Sequence, residues 1–120
     1  MNVTIKSKNY DMTPDTEVLV TKKLEAIDRL VPDDAEALAE VEVELVEERK
    51  NGNGVYRAEV NLTIGGDLYR SESTRRSLQN ALNDVKQELQ KELRRKKDKQ
   101  GSFVKRGGRF AKNILRGFGR

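Results

Sequence analysis

The most regular hydrophobic pattern in the chain lies between Ser73 and Lys99. Apolar residues recur there every three or four positions, the spacing of one face of an α-helix, and no Gly or Pro interrupts the pattern. Ser73 or Thr74 can cap the first turn. The stretch therefore predicts an amphipathic helix of about five turns or more. Its buried stripe consists of Leu78, Leu82, Val85, Leu89 and Leu93.

Another helix is predicted after Thr13, because Thr13 can act as an N-cap and Pro14 suits the first helical position. Acidic residues follow in the first turn, where they complement the helix dipole. Pro32 disfavours helical geometry in the residue before it, so the helix is expected to end near Leu30. Its apolar stripe consists of Val20, Leu24, Ile27 and Val31.

Four segments have the pattern of strands with one buried face: 2–8, 40–45, 56–64 and 68–73. In the first segment, Val3 and Ile5 are expected to point inward. A Gly/Asn-rich loop at 49–54 predicts an antiparallel hairpin rather than a phosphate-binding loop, since no Lys-Ser/Thr signature follows it. Gly65 and Gly66 predict a second tight turn.

The predicted order is β-α-β-β-β-α, an α+β fold in which two helices pack on one face of a four-stranded, mostly antiparallel sheet. The alternating glutamates of segment 40–45 fit a solvated sheet face better than a catalytic carboxylate pair, because nothing nearby would make one an acid and another a base. That second face is expected to be wet and mixed in charge, with Lys6, Glu42, Glu44, Arg57, Glu59, Asn61, Thr63, Arg70 and Glu72.

The amino-acid composition leaves few kinds of chemistry open to this chain. Its 120 residues are 35% hydrophobic and 37% charged, enough for one modest domain, which we place at 1–99, and a basic tail at 100–120. The absence of Cys and His removes disulfides, the usual zinc sites and the commonest general base. We therefore expect neither an enzyme nor a cofactor. No hydrophobic signal or membrane-length segment is present, which favours a cytoplasmic protein outside the membrane.

Positive charge is concentrated at one end of the chain. Residues 94–120 carry eleven Lys and Arg against one acidic residue, a balance of +10, whereas residues 1–93 carry thirteen basic and nineteen acidic residues, a balance of −6. Dense cations favour a polyanionic partner, because neutralising phosphates releases their counterions. RNA is therefore a candidate partner.

Three groups of basic residues are candidates for RNA contact. The first lies on the outer flanks of the two helices: Lys22, Lys23, Arg29, Arg75, Arg76, Lys86 and Lys91. The second is the end of the long helix: Arg94, Arg95, Lys96 and Lys97. In the tail, three phenylalanines can stack on bases while nearby cations follow the phosphates: Lys105, Arg106, Arg109, Lys112 and Arg116. The alternatives for the tail are a solvated, disordered segment and an amphipathic segment on a membrane surface.

Several segments resemble the short form of the bacterial ribosome hibernation-promoting factors: the start 1–9, the Thr-Pro helix opening followed by Lys23-Leu24, the strand 55–62 and the basic run 95–99. The resemblance extends in order over residues 1 to 99. It implies the β-α-β-β-β-α fold and binding to the small ribosomal subunit between head and body, in the channel used by mRNA and tRNA. It also implies that translation is inhibited there during starvation or stationary phase.

The resemblance implies roles for individual residues. Lys23 matches a lysine of the family's first helix, and Arg94 to Lys97 match the basic end of its second, both as contacts to rRNA phosphates. The helical layout adds Lys22, Arg29, Arg75, Arg76 and Lys86 as supporting candidates. The pattern departs at Ser77–Asn83, where the apolar spacing is kept but the family's Tyr and acidic residues are missing. No contact through those side chains is implied.

The length of the chain also bears on the expected partners. Long members of the family carry a further domain that pairs ribosomes, and here a basic tail follows the first domain instead. We expect a monomer that binds small-subunit rRNA, excludes mRNA and tRNA and does not contact membranes. The alternative is a general RNA-binding or chaperone-like module that is not specific to the ribosome.

Overall fold

The computed structural model describes residues 1–50 and 53–107, the last ten of them by their backbone. Its elements follow the predicted order: β1 (Asn2–Lys8), α1 (Pro14–Asp28), β2 (Ala37–Glu48), β3 (Gly54–Ile64), β4 (Asp67–Arg75) and α2 (Leu78–Gly107). The predicted α+β fold is confirmed.

The four strands form one sheet in the order β1-β2-β3-β4. β1 runs parallel to β2, because α1 crosses over between them, whereas β2, β3 and β4 are joined by hairpins and run antiparallel. Gly65 and Gly66, with φ values of 55° and 91°, form the second tight turn. Both positions need the positive φ that glycine adopts without steric cost. In the first hairpin, residues 51–52 lie outside the described part of the chain.

The hydrophobic core lies between the sheet and the two helices, which cover the same sheet face. Val20 of α1, Leu62 of β3 and Leu89 of α2 are fully buried there. The strand alternation and the helical stripes therefore meet as their periodicities predict. The rest of the core, all of it from the predicted stripes and strands except Ala39 and Ala81, consists of Leu24, Ile27, Ala39, Val41, Val43, Ala58, Val60, Ile64, Ala81, Leu82, Val85 and Leu93.

The first helix has the start that the sequence predicts. Thr13 is its N-cap, and the Thr13 Oγ1 accepts a hydrogen bond from the backbone N–H of Thr16 at 3.2 Å. Pro14 occupies the first helical position, where its missing N–H costs nothing. The helix ends at Asp28, close to the predicted end near Leu30.

The second helix begins later than predicted. α2 starts at Leu78, and the Oγ of Ser77 accepts a hydrogen bond from the backbone N–H of Asn80 at 3.3 Å, as an N-cap does. Ser73 and Thr74, the predicted caps, belong to β4 instead. Their backbone pairs with β3, and this ladder overrides their preference for a helix cap.

The first strand is less buried than predicted. Val3 is 43% exposed and Ile5 is half-buried, although both side chains were expected to point into the core. The reason is the position of β1, which is an edge strand of the sheet and lies at the margin of the layer that the two helices form.

Candidate nucleic-acid interface

The two helices lie side by side and run in the same direction across the sheet. Lys23 and Lys86 border the crevice between the two helices, which we call the seam. Further along, the Gln90 Nε2 donates a hydrogen bond to the backbone carbonyl of Ala26 at 3.2 Å. Residue numbers thus rise together along both helices, which makes the helices parallel.

Six predicted cations are brought together along this seam and form what we call the two-helix surface: Lys22, Lys23, Arg29, Lys86, Arg94 and Lys97. The seam residues Lys23 and Lys86 are half-buried, and the other four are exposed. Lys22 and Arg94 each lie one helical turn from the contact between Ala26 and Gln90. Arg29 and Lys97 line one basin at the end of the seam.

The charges of the two-helix surface are available to a ligand. Among the side chains that the structure describes, none of its six cations takes part in an ion pair. The opposite flank of α1, which borders β1, carries the acids Glu25 and Asp28. Positive potential therefore concentrates between the helices, where it attracts anions.

Arg75 lies elsewhere, at the end of β4, and is held by an ion pair. The Arg75 Nε donates a hydrogen bond to the Asp84 Oδ2 at 2.7 Å, and the Ser73 hydroxyl donates to the same oxygen at 2.7 Å. Both hydrogen bonds lower the pKa of the Asp84 carboxyl, and the bond from Arg75 has the larger effect. The same pairing raises the pKa of Arg75. Arg75 thus ties β4 to α2 instead of joining the two-helix surface.

The four basic residues 94–97 point in different directions, because successive helical residues are about 100° apart. Arg94 and Lys97 lie on the two-helix surface. Arg95 instead lines a groove between β4 and α2, together with Lys91 and the acids Glu72, Asp84, Glu88 and Glu92. Arg76 is exposed just after β4.

Lys96 faces the end of the sheet. Its Nζ forms an ion pair with Asp67 and lies 5.5 Å from the centroid of the Tyr69 ring. Burial alone would lower the pKa of the Lys96 ammonium, but hydrogen bonds to Asp67 and Tyr69 raise it above its ordinary value. Lys96, within the basic run 94–97, is therefore already paired with a carboxylate of the fold.

The solvated sheet face carries a network of charges centred on Arg57. Its guanidinium lies 3.0 Å from the Glu42 carboxylate, 3.4 Å from Glu44, 2.9 Å from Glu59 and 2.8 Å from Glu72. Burial would lower the pKa of Arg57, but the hydrogen bonds to Glu72 and Glu42 raise it. The alternation predicts the mixed charge of this face but not this convergence, which depends on the register of three strands.

The nine residues predicted for that face share it, as the pairing of Lys6 with Glu42 and of Asn61 with Arg70 illustrates. We call it the open sheet face. Lys8 and Arg70 are also paired there, with Glu44 and Glu59 respectively. Because Lys8, Arg57 and Arg70 are already paired with carboxylates, this face offers little attraction to phosphate.

Five predicted RNA-contact residues lie outside the described side chains: Lys105, Arg106, Arg109, Lys112 and Arg116. The α2 backbone includes the first two of them. Their role stays a prediction, as does the division of the chain into a domain at 1–99 and a tail at 100–120.

In the described residues, no group of three or more His, Cys, Asp or Glu side chains is placed to hold a metal ion. Neither α1 nor the described length of α2 is both long enough and apolar enough to cross a membrane.

The chain is similar in sequence and fold to known proteins. Residues 3–101 match the family model described as "Sigma 54 modulation protein / S30EA ribosomal protein". The Protein Y N-terminal domain of Thermus thermophilus is 27% identical, with a TM-score of 0.65, over 79% of this chain and 98% of that one. A ribosomal subunit interface protein of Coxiella burnetii is 15% identical, with a TM-score of 0.63, over 82% and 99% of the two chains, which shows a shared fold. No curated protein sequence matches.

Proposed function

Because the chain belongs to the sigma 54 modulation protein / S30EA ribosomal protein family, we propose that it is a ribosome hibernation factor that binds the small subunit and inhibits translation. The two-helix surface carries this proposal. It gathers six cations that have no counter-ion among the described side chains, on the side of the molecule away from the open sheet face.

The mechanism is occlusion by shape and charge. Lys and Arg on the two parallel helices contact rRNA phosphates, and the released counterions supply much of the affinity. Such contacts position the domain without reading sequence, as phosphate contacts generally do. The bound domain fills the decoding channel between head and body and excludes mRNA and tRNA. Inhibition needs no chemical step, and it operates in the cytoplasm during starvation or stationary phase.

The distribution of charge sets the orientation of the bound protein. The open sheet face pairs Lys8, Arg57 and Arg70 with carboxylates, four of which surround Arg57. Turning that face toward rRNA would bring carboxylates against phosphates. We propose that the two-helix surface meets the rRNA and that the open sheet face points away from it.

Co-sedimentation with purified small subunits tests the proposed function. The full chain is expected to sediment with subunits at low salt and to dissociate as salt rises, with the logarithm of the affinity falling linearly with the logarithm of the salt concentration. Added tRNA and mRNA are expected to displace it. Naked rRNA serves as the comparison, since a general RNA-binding module would bind it as well as the intact subunit. Protein that stays in the ribosome-free fraction at low salt would overturn the proposal.

A further inference from the structure

An open basin of about 420 Å³ lies at the end of the seam, where α1, the loop after it, the β3–β4 turn and α2 meet. Its apolar wall includes Leu30, Val31, Ile64 and Leu93. The Tyr69 ring adds an aromatic surface at the β4 side. The volume falls within the range of about 300–1,000 Å³ that is usual for small-ligand sites.

The basin combines this apolar wall with a positively charged rim. Arg29, Lys96 and Lys97 line it, against a single carboxylate among its described lining residues, that of Asp67. The Asp67 carboxylate is already paired with Lys96. Arg29 and Lys97 therefore remain to hold an anion at the rim, and both also belong to the two-helix surface.

The Asp67–Lys96 ion pair connects two sides of the basin. Lys96 reaches from α2 to the first residue of β4 and lies over the Tyr69 ring at 5.5 Å. Gly65, with a φ of 55°, holds the turn that forms the neighbouring wall. These contacts fix the wall of the basin before a ligand binds, which reduces the free-energy cost of ordering the site on binding.

We propose that this basin binds one unstacked nucleotide of an RNA strand. The base packs against Val31 and Ile64 beside the Tyr69 ring, over which Lys96 already lies, and the phosphate lies between Arg29 and Lys97. An apolar, partly aromatic wall beside cations is the arrangement by which proteins hold splayed-out bases of single-stranded RNA. The inference rests on the proposed function, since it adds one base contact to the phosphate contacts of the two-helix surface.

The test uses adenosine monophosphate as the probe and ribose 5-phosphate as its base-free control, with the full chain observed by two-dimensional NMR. Millimolar adenosine monophosphate is expected to shift the backbone amides of Val31, Gly65 and Tyr69, and ribose 5-phosphate to shift them far less. Val31→Glu, which puts a carboxylate in the basin, is expected to abolish these shifts. The matched variant Val46→Glu, at a 50% exposed position of β2, is expected to keep them.

The same variants are then compared on small subunits. Val31→Glu is expected to bind about tenfold more weakly than Val46→Glu, because one base contact is lost. Lys97→Gln, which leaves the apolar wall of the basin intact, is expected to weaken binding of both adenosine monophosphate and ribose 5-phosphate. Equal subunit affinity of the two Glu variants, or nucleotide shifts that map outside the basin, would overturn the inference and leave the proposed function standing. Failure of the unmodified protein to bind subunits would instead overturn the proposed function.

Discussion

Replacing Lys23 and Lys86 together with Gln is expected to weaken binding to the small subunit by about ten- to a hundredfold near physiological salt. These lysines border the seam from the two helices and have no ion-pair partner among the described side chains. Each lost phosphate contact is expected to reduce the slope of log affinity against log salt by about 0.7–0.9. Subunit binding measured over a series of salt concentrations gives both quantities.

The matched control is Lys6→Gln with Lys8→Gln on β1, which makes the same change in composition and net charge on the open sheet face. It is expected to leave the salt slope nearly unchanged. Melting temperatures of both double variants show whether either change disturbs the fold. Equal loss of affinity in the two variants would mean that net charge, rather than the two-helix surface, drives binding.

Replacing Arg57 with Met is expected to lower the free energy of unfolding by about 1–3 kcal/mol at pH 7, because it leaves the surrounding carboxylates without their shared counter-charge. Arg57 is the centre of the network, since its side chain is 20% exposed and lies within 3.4 Å of four glutamates. Urea unfolding of the variant and the unmodified protein measures the difference.

Arg70→Met is the matched control, because its side chain is 58% exposed and such pairs contribute about 0–1 kcal/mol. A deficit equal to that of Arg70→Met at pH 7 would contradict the central role of Arg57.

The fold could be predicted from the sequence because its patterns are local. Alternation over 56–64 and the stripe through Leu82, Val85 and Leu89 each follow from one element burying one face. The start of α2 could not be predicted in this way. Ser73 and Thr74 have the chemistry of a cap, and only the pairing of β4 with β3 places them in a strand.

The candidate site was predictable as a set of cations but not as an arrangement. Sequence alone groups Arg94 with Lys96, whereas the helix turns Lys96 toward Asp67, a residue 29 positions earlier. Arg75 similarly meets Asp84 across two elements. Charge composition marks residues that can bind RNA, and long-range partners decide which of them remain available to it.

The decisive measurement of how the domain binds is an electron cryo-microscopy structure of its complex with the small subunit. The domain is expected in the channel between head and body, with Lys23, Lys86 and Lys97 within reach of rRNA phosphates and Arg57 on the side away from the rRNA. Density that places the open sheet face against rRNA, or the domain outside the mRNA and tRNA channel, would overturn the proposed binding mode.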